Sequence, residues 1–182
     1  MEIYISILRG INVSGQKSIK MADLKASYEK LNFKDVDTYV QSGNVVFRAE
    51  KEKTEVFETK IADQIKSKYS FDVPVIVMTV DKLKTIIDSN PFKDDPAKDE
   101  KFLHVTFLGS VPDDYDEEAI FSKRAGQEEI VITNEAVYLY CPHGYGTSKL
   151  NNNFLENKLK VKATTRNWNT TKALLELANS IS

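Results

Sequence analysis

Val36-Asp37-Thr38-Tyr39-Val40-Gln41-Ser42-Gly43-Asn44-Val45-Val46-Phe47-Arg48 is the stretch that decides the architecture. Val36 to Gln41 and Val45 to Arg48 are short strand-like runs. Ser42-Gly43-Asn44 between them permits the positive φ that a tight hairpin requires. Upstream, Ile3, Ile5 and Ile7 alternate with Tyr4, Ser6 and Leu8, the period-two pattern of a strand with one strongly apolar face. Between that strand and the hairpin, Met21, Leu24, Tyr28 and Leu31 fall on one helical stripe. Downstream, Phe57, Ile61 and Ile65 predict a helix from about Thr54 to Tyr69, and Pro74 to Val80, apolar on both faces, reads as a buried strand. The order is β-α-β-β-α-β, the split βαβ or ferredoxin-like arrangement in which helices cover one face of an antiparallel sheet.

The rest of the chain follows the same logic. A short helix pattern from Asp81 to Ser89, with Leu83, Ile86 and Ile87 inward, leads to Asn90-Pro91 and a polar stretch from Lys93 to Lys101 that contains Pro96. Phe102 to Leu108 then reads as a strand and Asp113 to Lys123 as a short helix. Glu129 to Thr133 and Ala136 to Cys141 flank the turn residue Asn134, and Leu150, Phe154, Leu155 and Leu159 mark another helix. A terminal helix from about Asn167 to Asn179 stands where a final strand would complete the repeat. The expected fold is α+β, with two ferredoxin-like (βαββαβ-type) subdomains, the second ending in a helix. Residues 1–90 form the first subdomain with its short helix, 91–101 a linker, and 102–182 the second subdomain. The topology is duplicated, but no residue-by-residue repeat accompanies it.

Composition narrows the class. The 182 residues are 41% hydrophobic and 29% charged, the balance of a soluble globular protein. No apolar run approaches the ~18 residues of a membrane helix. Glu2 beside Met1, with Ser6 and Arg9 interrupting the apolar pattern, is unlike a secretory signal, so a cytoplasmic protein without a membrane partner is expected. Cys141 is the one cysteine, which excludes an intramolecular disulfide and a cysteine-rich zinc site. A net charge of −2 argues against a surface built wholly for nucleic acid and leaves room for a local basic patch. Acidic residues gather at Asp94-Asp95, Asp99-Glu100 and between Asp113 and Glu118, whereas two glycine-bearing loops are basic.

Those loops carry the candidate chemistry. Arg9-Gly10-Ile11-Asn12-Val13-Ser14-Gly15-Gln16-Lys17-Ser18-Ile19-Lys20 follows the first strand, and Cys141-Pro142-His143-Gly144-Tyr145-Gly146-Thr147-Ser148-Lys149 follows a later one. Glycine lets backbone N–H groups turn inward, a following helix start adds unpaired donors, and Lys or Arg completes a pocket for an anion. For the first loop the plain alternative is a solvated loop in which Asn12 or Ser18 caps backbone groups. The second loop lacks the spacing of a P-loop, so ATP hydrolysis is not supported. Thr164-Thr165-Arg166-Asn167-Trp168-Asn169 places a cation and an aromatic plane at a helix start, able to stack on a base and hold a phosphate. Its alternative is a packed tryptophan, an asparagine cap and a solvated arginine. The hairpin tip offers Gln41, Ser42 and Asn44, although turns select such residues for backbone reasons alone. His104 and His143 have no metal-pair spacing, so no metal is expected. If a bond is broken, His143 is the best-placed general acid or base, with Lys149 or Arg166 stabilising negative charge.

The chain resembles a widespread, largely bacterial family catalogued as a domain of unknown function. The carrying residues are Tyr4-Ile5-Ser6-Ile7-Leu8-Arg9-Gly10-Ile11-Asn12-Val13, Lys20-Met21-Ala22-Asp23-Leu24 and Tyr39-Val40-Gln41-Ser42-Gly43-Asn44-Val45-Val46-Phe47. To these are added Gly144-Tyr145-Gly146-Thr147-Ser148-Lys149-Leu150 and Thr165-Arg166-Asn167-Trp168-Asn169-Thr170. The family pattern usually has Gly-Gly where this chain has Ser14-Gly15. The resemblance implies two ferredoxin-like parts and supplies no activity or cofactor. It implies that Arg9, Asn12, Gln41, Ser42, Asn44, Ser148, Lys149, Arg166, Asn167 and Trp168 matter together.

The functional expectation is binding of an anionic small molecule, phosphate-bearing such as a nucleotide, between the two subdomains. Arg9, Lys17, Lys149 and Arg166 supply charge, Asn12, Gln41 and Asn44 directed hydrogen bonds, and Trp168 a stacking plane. The alternatives are a module for single-stranded nucleic acid and a non-catalytic protein-interaction domain.

Overall fold

The computed structural model describes residues 1–181. The chain divides into two compact units, Met1–Lys84 with Ala173–Ser182, and Thr85–Lys172.

The first unit contains β1 (Glu2–Leu8), α1 (Met21–Glu29), β2 (Lys34–Tyr39), β3 (Asn44–Ala49), α2 (Thr54–Tyr69) and β4 (Val75–Thr79). The sheet order is β2-β3-β1-β4 with every neighbour antiparallel, the ferredoxin-like arrangement. Tyr4 and Leu8 point from β1 into the same cluster as Leu24 and Tyr28 of α1 and Phe57, Ile61 and Ile65 of α2. Aromatic rings fill its middle, Phe33 stacking on Phe47 at 4.4 Å between centroids and Tyr4 tilting against Phe57 at 4.7 Å. A polar pair is sealed within it, where the Ser6 and Tyr28 hydroxyls share a hydrogen bond of 2.7 Å. Ile5, Ile7 and Val46 on the opposite sheet face are also fully buried. At the hairpin, Gly43 has φ +80°, and a Cβ there would lie 2.7 Å from the Leu8 Cβ, so both the turn and the close approach require glycine.

α3 (Val80–Asp88) follows β4, and the second unit continues with β5 (Leu103–Leu108), α4 (Glu117–Phe121), β6 (Glu129–Ile132), β7 (Ala136–Tyr140), α5 (Asn152–Leu159) and β8 (Ala163–Asn167). The sheet order is β6-β7-β5-β8, again antiparallel throughout. β8 corrects the expectation that a helix replaces the last strand. The unit completes βαββαβ, and α6 (Trp168–Ser180) is added after it. The β-branched Thr164 and Thr165 suit a strand, and the buried Thr165 hydroxyl meets that of Thr106 on β5 at 2.7 Å. α4 starts later than its pattern because Asp116 caps it, its Oδ1 accepting from the Ala119 N–H at 2.9 Å. Between α3 and β5, Lys98 reaches Asp95 at 2.8 Å and Glu129 at 2.9 Å and lies over the Tyr140 ring, 5.1 Å from its centroid. Among the described residues no helix is long and apolar enough to cross a membrane.

Candidate functional site

In the first unit the loop from Arg9 to Lys20 is a miniature hairpin laid against the tip of a larger one. The Gln16 N–H donates to the Val13 carbonyl at 2.9 Å, and Ser14 and Gly15 between them both have positive φ, the signature of a type I′ turn. The Asn12 N–H donates to the Lys17 carbonyl at 3.1 Å and closes the base. Asn12 also uses its whole side chain. Nδ2 donates to the carbonyls of Ile19 at 2.9 Å and Gln41 at 2.8 Å, while Oδ1 accepts from the Ile19 N–H at 2.8 Å. One asparagine therefore fixes the loop to itself and to the β2–β3 tip.

The remaining candidates of this unit surround that staple. Lys17, half-buried, donates from Nζ to the Asp72 carbonyl at 2.6 Å. Arg9 is half-buried where β1 ends, its own N–H donating to the Pro74 carbonyl at 3.0 Å. Asn44 is fully buried and spans the hairpin from within, Nδ2 donating to the Tyr39 carbonyl at 3.0 Å and to the Ser42 hydroxyl at 2.9 Å. The Gln41 side chain is exposed. The loop tip, Val13 to Gln16, is exposed too, and among the described residues the Ser14 and Gly15 N–H groups have no protein partner.

The second unit gathers its own set. His104 on β5 is paired in register with Asn167 on β8, and its ring stacks on Tyr145 of the glycine-bearing loop at 4.8 Å and 22°. The Tyr145 hydroxyl approaches Asn152 Oδ1 at 3.5 Å, and the same oxygen accepts from the Thr165 hydroxyl at 2.6 Å. Burial holds the His104 imidazole below the usual histidine range, opposed by its contact with the Phe102 carbonyl. Arg166 donates from Nη1 to the Thr165 carbonyl at 3.0 Å, and burial pulls its guanidinium down to about 10. Ser148 is buried, its hydroxyl accepting from the Leu150 N–H at 3.1 Å, and Lys149 is exposed. Asn167 caps α6, Oδ1 accepting from the Thr170 N–H at 2.8 Å. Trp168 is buried. His143 is exposed, and the Cys141 thiol is buried and pushed up to about 11.

The sequence reading did not single out Tyr145, Asn152, Thr165 or the seat of Lys17 on Asp72. Register was the missing signal, since only the pairing of β5 with β8 brings Asn167 beside His104. Among the described residues, no group of three or more His, Cys, Asp or Glu side chains is arranged to hold a metal ion.

Residues 1–138 match the model of a family described as protein of unknown function (DUF1697). The chain is also similar to the solved structure of the conserved bacterial protein SP0830 from Streptococcus pneumoniae, at 18% sequence identity and a TM-score of 0.69, over 97% of this chain and 98% of that one. At that identity the likeness speaks to the fold alone. No curated protein shows a significant match.

Proposed function

This chain belongs to the DUF1697 family of proteins of unknown function, and we propose that it binds an anionic, phosphate-bearing small molecule at the Arg9–Lys20 loop of its first unit. The carrying observation is the Asn12 staple, which holds a polar, basic loop in one conformation before any ligand arrives. Such pre-organisation lowers the ordering cost of binding. The Ser14 and Gly15 N–H groups face solvent at the tip, Arg9 and Lys17 supply positive charge at the base, and Lys20 stands exposed where α1 begins. Oriented backbone donors beside cations suit the oxygens of a phosphate. Asn12 and Asn44 act in this reading by positioning the loop and the hairpin tip, since their amide groups already serve the backbone.

The alternative of a single-stranded nucleic-acid module relies on an open sheet face. Ile5, Ile7 and Val46 on that face of the first sheet and Val105 and Phe107 on that of the second are buried, so the loop is the better-supported locus.

The test is a thermal-shift and amide-NMR titration with inorganic phosphate, nucleotides and sugar phosphates. A ligand bound by the native state raises its stability, and the resonances of residues 13–17 should move first. Arg9→Ala and Lys17→Ala should each weaken the response while the melting transition persists. An absent response in the unaltered protein, or one that neither substitution reduces, sinks the proposal.

A further inference from the structure

The two sheets have four outer strands, β2 and β4 in the first and β8 and β6 in the second. An outer strand exposes backbone N–H and C=O groups that invite pairing, and folded proteins usually block them. Three of the four are blocked. β2 carries a bulge between Lys34 and Asp37, positive φ at Asp35, exposed charges, and an Asp37 carboxylate that takes the Thr38 N–H at 2.8 Å. On β4 the Val77 N–H donates outward to Glu58 Oε1 of α2 at 3.0 Å. On β8 the Ala163 N–H donates outward to Glu156 Oε1 of α5 at 3.3 Å, and the Thr165 carbonyl is taken by Arg166.

Among the described residues β6 has no bulge, no positive φ and no side chain on its outward N–H groups, and its one charge, Glu129, is paired with Lys98. Its sequence, Glu129-Ile130-Val131-Ile132, continues into Thr133 without proline, lysine or a bulge. The Thr133 N–H donates to the Ala136 carbonyl at 2.9 Å, which sets the phase of the ladder. With Val131 opposite Tyr138 and Glu129 opposite Tyr140, residues 129 and 131 turn their backbone groups toward β7. Those of Ile130 and Ile132 therefore point outward, and among the described residues their N–H groups have no protein partner.

We infer that β6 pairs with β6 of a second copy of this chain, antiparallel and centred on Val131. The register is self-consistent. Ile130 of one copy faces Ile132 of the other, and both have outward-pointing backbone groups, so each such pair exchanges two hydrogen bonds. Val131 faces Val131 as the closer, non-hydrogen-bonded pair. Glu129 faces Thr133, so no like charges oppose each other, and Lys98 already neutralises Glu129. Val131 and Ile132 are half-exposed and would gain apolar cover. A strand of 4 residues falls short of the interface of about 1,200 Å² that marks a stable complex, so the association is concentration-dependent.

Sedimentation velocity from micromolar to millimolar protein should show the mean mass rising toward that of a dimer. Val131→Lys, which sets two like charges face to face, should remain a monomer with its melting transition intact. Val131→Cys should form a disulfide-linked dimer on mild oxidation, because facing strand residues lie within disulfide range and the native Cys141 is buried. An unaltered protein that stays monomeric throughout overturns the inference. So does a dimer that survives Val131→Lys, or a Val131→Cys protein that remains uncrosslinked at concentrations where the unaltered chain associates.

Discussion

The side-chain amide of Asn12 donates to the main-chain carbonyl of Gln41 at 2.8 Å, joining two loops 29 residues apart in sequence. This contact and the two that Asn12 makes with Ile19 are the means by which the polar loop after β1 acquires one shape.

Replacing Asn12 by alanine removes all three bonds and should cost about 1–3 kcal/mol of stability, since each intramolecular hydrogen bond contributes about 1 kcal/mol net. Asn12→Asp keeps the acceptor for the Ile19 N–H but turns a carboxylate oxygen on the Ile19 and Gln41 carbonyls, so it should not rescue the alanine loss. Urea unfolding orders the variants, and hydrogen exchange should show the Ile19 amide losing protection in the alanine variant first.

Two glycines should respond differently to alanine. Gly15 has φ +72° with nothing near an added Cβ, so Gly15→Ala meets only the left-handed backbone penalty of about 1 kcal/mol. Gly43 combines φ +80° with a Cβ placed 2.7 Å from the Leu8 Cβ and 2.8 Å from Ile11 Cδ1. Its alanine variant should lose about 2–4 kcal/mol, the strain being joined by overpacking. Equal melting temperatures for the two variants would contradict the packing argument.

Glu58 is buried on α2 and accepts the outward N–H of Val77. Glu58→Leu leaves that donor in an apolar setting and should destabilise by about 1–3 kcal/mol. Glu58→Gln can still accept and should fall between the two. Denaturant midpoints are the readout, and greater aggregation of the leucine variant is expected because the β4 edge loses its block.

His104 gives a pH dependence with a definite sign. Its imidazole is held below the usual value by burial, so in the window just under about 6.5 the unfolded chain takes up a proton that the folded chain refuses. The unfolded state then binds more protons, and stability falls as pH drops from there through the folded-state pKa. His104→Gln should flatten this part of the profile in urea titrations between pH 7 and 5. An unchanged slope would locate the acid sensitivity elsewhere.

Much of the fold was legible because local rules and tertiary structure agree. The four-residue spacing of α2 reflects one buried face, and α2 spans Thr54–Tyr69 as its pattern implies. The alternation of β1, by contrast, marked a strand whose two faces are both buried, Tyr4 and Leu8 toward the helices and Ile5 and Ile7 away from them. Gly43 marked the hairpin because no other residue suits that turn. β8 escaped because Ala163-Thr164-Thr165-Arg166-Asn167 has little apolar alternation. It is a strand through pairing with β5, a long-range fact. The resemblance to a family of unknown function agrees with the match over residues 1–138. The roles of the motif residues were less legible. An asparagine after a strand reads the same whether it meets a ligand or a neighbouring carbonyl, and only the position of Gln41 distinguishes them.

Lys98 lies in a stretch whose prolines and charges suggest easy access to a protease, yet its side chain is only 11% exposed. Two carboxylates hold its ammonium, and the rings of Phe92 and Tyr140 flank it. An enzyme that cuts after lysine must draw this side chain into its own acidic pocket, and here Asp95 and Glu129 already occupy that role. Limited digestion should therefore spare the bond after Lys98 while cutting after the exposed Lys101, and replacing Glu129 by glutamine should speed cleavage after Lys98.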